Sequence, residues 1–129
     1  MAHKESLDPS AWFGIGDKDL KRARLLLGAD DLEGAGFNLQ QAVEKYLKGY
    51  LLSRGWKLKR IHDLDVLVRY AIQYDPSFAG FKPSCQKITQ YYFEDRYPEM
   101  MPPELDKKDL VESLRAAEEI IAKIKTLVK

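Results

Sequence analysis

The sequence predicts an all-α protein, an antiparallel up-and-down helical bundle of about five helices forming a single domain over residues 1–129. Three observations carry this reading. Apolar residues recur at spacings of three and four along five separate stretches. No stretch alternates as a strand would. Gly, Pro and Asp fall between the stretches, where helices stop and restart. A chain of 129 residues with 45% hydrophobic and 32% charged residues is long enough for a real core and has the balance of a folded domain.

Pro9-Ser10 opens the first helix, whose stripe is Trp12, Gly16, Leu20, Ala23 and Leu27. Gly14 and Gly16 weaken its first turns. Gly28 ends it, and Asp30 or Asp31 caps the second helix. So short a connection makes the two antiparallel neighbours. The second helix places Leu39, Val43, Tyr46, Leu47, Tyr50 and Leu51 on one stripe. Ala35, Ala42 and Gly49 recur every seven residues along its flank and admit close approach of another helix. Gln41, Lys45 and Lys48 lie on the far side, and Glu44 and Lys48 form an i,i+4 pair. Gln40 falls inside the apolar arc, so its amide needs a partner in the bundle or at an interface. Arg54-Gly55 ends this helix with a left-handed cap.

A basic connector, Trp56 to Ile61, leads to a third helix capped by His62 or Asp63, with Leu64, Leu67, Val68, Ala71 and Ile72 buried. Asp75-Pro76 starts a fourth that runs to about Tyr92 and is kinked or split by Gly80 and Pro83. Tyr92 to Leu105 is a loop with Pro98, Pro102 and Pro103. Asp106 with Asp109 resembles a capping box for the last helix. There Leu110, Leu114, Ala117, Ile121, Ile124 and Val128 form a coiled-coil-like seam, widened by Ile120 and Leu127. Leu47 and Leu114 sit at the centres of their stripes and are expected to be buried.

Composition narrows the function classes. Lys+Arg 21 against Asp+Glu 20 indicates no general polyanion-binding surface, so any nucleic-acid contact requires a local patch. One cysteine allows no internal disulfide. No apolar run reaches the length of a membrane span, and Met1 to Asp8 lacks a signal-peptide core. The expected location is the cytoplasm, with no membrane contact. His3 and His62 are the only histidines and there is no Cys pair, so neither a metal nor a cofactor is expected.

Three places remain as candidate sites. His62 is either a titratable group beside Arg60 and Asp63 or a helix-entry residue whose ring bonds the first turn. Arg54, Lys57, Lys59 and Arg60 either track a phosphate backbone beside a stacking Trp56 or form a solvated loop with Trp56 folded over the core. Tyr91 to Pro98 is the least ordinary local sequence: either Arg96 and a Tyr hydroxyl face a phosphate or base, or the aromatics plug the end of the bundle with Arg96 paired to Glu94 or Asp95. The ligand-binding candidates are therefore Arg96, Tyr97, Tyr92, Arg60, His62 and Lys59, and no catalytic residue is assigned. Gln40 in the apolar arc, with Phe37 and Leu52 outside it, gives helix two a second face and points to a homodimer.

The Gln-Gln-Ala-x-Glu-Lys-x-Leu-Lys stretch at Gln40–Lys48, then His62-Asp63-Leu64, then Arg96-Tyr97-Pro98, resembles the HEPN domain (higher eukaryotes and prokaryotes nucleotide-binding). The resemblance runs from about Trp12 to the last helix. It implies a small helical bundle, generally dimeric, often working with a minimal nucleotidyltransferase as a two-component or toxin–antitoxin pair, and in other members a ribonuclease. The ribonuclease branch carries Arg-x4-6-His, whereas here no histidine follows Arg96, and Arg54 lies one residue too far from His62 for that spacing. The resemblance thus implies a non-catalytic nucleotide- or RNA-binding subunit. A ribonuclease toxin with a degenerate site and a purely structural dimerisation module are the alternatives.

Overall fold

The computed structural model describes residues 6–92 and 105–128. Its first helix, α1 (Pro9–Gly28), begins where the Asp8 carboxylate accepts the Ser10 N–H at 3.0 Å, with Pro9 at the first helical position. The chain turns through Asp30, held at φ 60°, a left-handed conformation that Asp tolerates better than most side chains. The Asp31 carboxylate then accepts from Gly34 N at 3.0 Å and starts α2 (Leu32–Ser53). Of the two acids at this restart, Asp31 is the cap.

α2 is the central helix. It packs against α1 and, further along the chain, against α3 (Leu64–Tyr74) and α5 (Lys107–Leu127). The small residues on its flank admit α1 closely. A Cβ built on Gly49 would lie 2.5 Å from the Phe13 ring, and one on Gly16 would lie 2.7 Å from the Tyr46 ring and 3.3 Å from the Ala42 carbonyl. Phe13 stacks on Tyr46 at 5.0 Å, and the Tyr46 hydroxyl donates to Asp17. Because α2 is packed around most of its circumference, Lys48 is buried rather than on a solvated far side, and Lys45 is half-buried.

Gly55, at φ 89°, ends α2, and Trp56 N–H donates to the Leu51 carbonyl. The chain then runs back alongside α2. Trp56 lies over the core and packs on Tyr70, while the His62 carbonyl reaches Gln40. Asp63 caps α3 through Asp65 N, so α3 sets off from the middle of α2 toward its C-terminal end. The expected fourth helix is split. A 3-10 turn (Pro76–Phe81) buries Phe78 against Tyr50, α4 (Lys82–Ile88) carries Pro83 in its first turn, and a second 3-10 turn (Thr89–Tyr91) follows. This stretch returns the chain to the N-terminal half of α2: Thr89 Oγ1 accepts from Leu64 N, and Tyr91 packs over Gly36.

α5 starts at Asp106, whose carboxylate accepts from Lys108 N rather than forming the expected box with Asp109. Its core face is Leu110, Ser113, Ala117, Ile120, Ile121 and Ile124. Leu47 is fully buried. Leu114 is only partly so, because the buried arc of α5 is centred one position away, on Ser113 and Ala117, leaving Leu114 beside Ala23, Leu27 and Leu39 at the margin. Among the described residues there are five α-helices and no strand, and no helix is long and apolar enough to cross a membrane.

Two contrasts test this packing. Gly14 has open space around it, so Gly14→Ala should raise stability by about 0.5–1 kcal/mol through helix propensity. Gly16→Ala gains the same propensity but must push aside a pinned Tyr46, at a cost of about 1–3 kcal/mol, and should lower the melting temperature. Leu47→Ala should cost about 2–5 kcal/mol and Leu114→Ala clearly less. Urea denaturation of the four variants checks both orderings.

Candidate functional site

Gln40, Glu44 and Lys48 stand one turn apart on α2, so their side chains line up along one ridge. Glu44 is 1% exposed. Its Oε1 accepts from Gln40 Nε2 at 3.1 Å and its Oε2 from Lys48 Nζ at 3.0 Å, with Lys45 Nζ at 3.5 Å from Oε2. His62 Nδ1 lies 3.0 and 3.2 Å from the two carboxylate oxygens. Gln40 does two things at once, since Nε2 also donates to the His62 carbonyl at 2.9 Å while Oε1 accepts from Gln41 at 2.7 Å. The polar residue in the apolar arc is thus satisfied inside the monomer and gives no argument for a second copy.

α1 supplies the lid over the ammonium groups. The Trp12 ring lies 5.6 Å from Lys48 Nζ and 5.9 Å from Lys45 Nζ, and its own N–H donates to the Ser6 carbonyl at 2.7 Å. Asp19, also buried on α1, adds a second carboxylate within electrostatic range of Lys45. Burial pushes the Glu44 carboxyl up, but the Lys45 and Lys48 charges and the hydrogen bonds from Lys48 and His62 outweigh it and hold the group below its ordinary range. At Asp19 burial wins over Lys45 and Arg22, and that carboxyl is raised.

The His62 ring projects from this network toward solvent, its side chain 44% exposed. It stacks on Tyr92 at 4.8 Å and 16°, and Tyr92 stacks on Phe37 at 5.8 Å and 20°. Two candidates from different connectors therefore meet. Lys59 does not join them. Lys59 Nζ donates to the Tyr70 hydroxyl at 3.1 Å, beside Trp56. Arg60 is exposed on the same connector. Arg96 and Tyr97, with Glu94, Asp95 and the three prolines, lie outside the described residues. Nor does the His62 ring bond the first turn of α3; the Asp63 carboxylate takes that place.

Sequence reasoning missed Glu44 and Lys48 as a buried pair, and Trp12 and Asp19 as their neighbours. The available signal was Gln40, a polar residue one turn before Glu44 on the same ridge. Among the described residues no cluster of three or more His, Cys, Asp or Glu could hold a metal. Cys85 is buried, and burial, with Asp65 nearby, pushes its thiol up to about 12, far from a reactive thiolate. A cleft between α4 and α5 is lined by Lys87 and Glu112, but Lys87 is already held by Asp109 at 3.1 Å.

Comparison with known proteins agrees with this architecture. The family model of the HEPN domain matches residues 9–127. The crystal structure of ST0689, an archaeal HEPN homologue, superposes with a TM-score of 0.76 at 25% identity, covering 95% of this chain and 98% of that one. The crystal structure of TT1696 from Thermus thermophilus gives 0.74 at 26% identity, covering 92% and 96%. No curated protein matches.

The Glu44 network makes a signed prediction. Glu44→Gln leaves the buried Lys48 ammonium without its counter-charge and should cost about 3–5 kcal/mol at pH 7. Since the folded-state carboxyl is held below its unfolded value, its contribution is complete above the unfolded carboxylate range and is lost as pH falls through the folded value. The gap between wild type and Glu44→Gln should therefore narrow below about pH 4. Urea titrations at about pH 7 and about pH 3.5 measure it, and a gap constant with pH would contradict an ionised Glu44.

Proposed function

Because the chain belongs to the HEPN domain family, we propose that it is a nucleotide- or RNA-binding subunit that works with a minimal nucleotidyltransferase. The observation that carries the binding part is the ring column Phe37–Tyr92–His62. Stacked rings fixed by packing offer a base a face at low entropic cost. In the sequence Arg60 stands two residues before His62, and Arg96-Tyr97 follow four and five residues after Tyr92. A guanidinium there would grip phosphate with paired hydrogen bonds. The nucleotidyltransferase partner rests on the family resemblance alone, and the homodimer on that resemblance together with Phe37 and Leu52 outside the apolar arc of α2. The Arg-x4-6-His spacing is absent, which favours binding without cleavage.

Fluorescence anisotropy with labelled single-stranded RNA and with a labelled nucleoside triphosphate tests the reading. Arg96→Ala and His62→Ala should each weaken binding at least tenfold, with melting temperatures within a few degrees of wild type, and affinity should fall as salt rises. The same RNA should remain intact after incubation with or without divalent metal. Unchanged affinity per folded molecule in both variants would refute the site, and cleavage abolished by Arg96→Ala would refute the binding-only role.

A further inference from the structure

We infer that His62 Nε2 is a phosphoryl-accepting nucleophile, with Glu44 as its positioning residue. The inference rests on the proposal that this site takes phosphate ligands, and it adds a covalent step on a named atom.

Four features of the site point to that atom. Nδ1 faces both oxygens of a buried carboxylate, so in the neutral ring the hydrogen sits on Nδ1 and the lone pair on Nε2. The carboxylate cannot turn away, because Gln40 and Lys48 hold it from the other sides. The ring cannot swing out freely, since Tyr92 covers one face and Gln40 ties its backbone carbonyl. Finally, the ring is 44% exposed, and Nε2 has no hydrogen-bond partner among the described residues. A histidine needed only to fasten the connector would be served equally by either tautomer and by a buried ring. Here the bonding nitrogen is inside and the lone pair is outside.

The chemistry balances without a further co-reactant. The Nε2 lone pair attacks the terminal phosphorus of a nucleoside triphosphate, and a P–N bond forms. The bond from that phosphorus to its bridging oxygen breaks, and the nucleoside diphosphate leaves with the electron pair. The ring then carries a positive charge shared between its nitrogens, which the Nδ1–H bond to the Glu44 carboxylate stabilises. Glu44 thus acts through the imidazole and touches no substrate. Lys45 and Lys48 offset its charge and limit its repulsion of the incoming phosphate.

Potassium phosphoramidate is the probe, since it donates a phosphoryl group to histidine with loss of ammonia and needs no partner enzyme. The full chain is treated and mapped by mass spectrometry, and the attachment nitrogen is read by phosphorus NMR. His3, in the same molecule, is the reference. His62 should gain the phosphoryl group at least tenfold faster than His3 and on Nε2 alone. Glu44→Gln, where circular dichroism shows it folded, should slow the reaction at His62 several-fold and leave His3 unchanged. If that variant does not fold, the rate at His62 relative to His3 in the unaltered chain decides. Labelling of His62 no faster than His3, or on Nδ1, overturns the inference. RNA or nucleotide binding that persists without such labelling removes the nucleophile and leaves the binding reading standing, whereas loss of both removes both.

Discussion

A single ionised carboxylate, Glu44, holds the middle of the molecule together. Placing it at 1% exposure carries a desolvation penalty of several kcal/mol, which only close cations and well-directed donors offset. Lys48, Lys45, Gln40 and His62 supply them, and between them they tie two other parts of the fold to α2. The lysines bring Trp12 and the start of α1 over the ridge. His62 and Gln40 bring back the connector that leaves the far end of α2. Where that connector is fastened decides where α3 begins. The start of α3 in turn meets the returning chain at Thr89, and the next turn brings Tyr92 onto His62.

This arrangement separates what local sequence can express from what it cannot. Helix periodicity and caps are local, so Pro9-Ser10 and Asp106 mark helix starts, Asp30 or Asp31 and His62 or Asp63 bracket two more, and Gly55 marks a helix end in the sequence itself. The split at Pro83 is equally local, because a ring without an N–H cannot sit inside a continuous helix. Lys48 departs from its expected place for a different reason. A helical wheel presumes one wet face, and α2, with α1, α3 and α5 around it, has almost none. The partners of Glu44 include a histidine 18 positions away, and no periodicity encodes that pairing. Gln40 alone signals that something polar has to be met inside. On α5 Ser113 takes a core place that the expected seam lacks, its hydroxyl bonded to Tyr91 at 3.1 Å, which an apolar count cannot foresee.

A buried ion network is weak evidence for stability as such. Well-packed hydrophobic residues of the same volume hold two segments together as well or better, without the desolvation cost. Leucines at the positions of Glu44 and Lys48 would satisfy the packing of α2. What they could not do is choose between the two nitrogens of His62. Only an acceptor fixed in place puts the hydrogen on Nδ1 and turns the lone pair outward, and only a charged one steadies a ring that becomes positive. The Gln40 amide holds the carboxylate and the histidine backbone together, and so fixes the imidazole against its acceptor as well as fastening the connector. The network therefore sets the direction of the imidazole as well as joining the connector to α2.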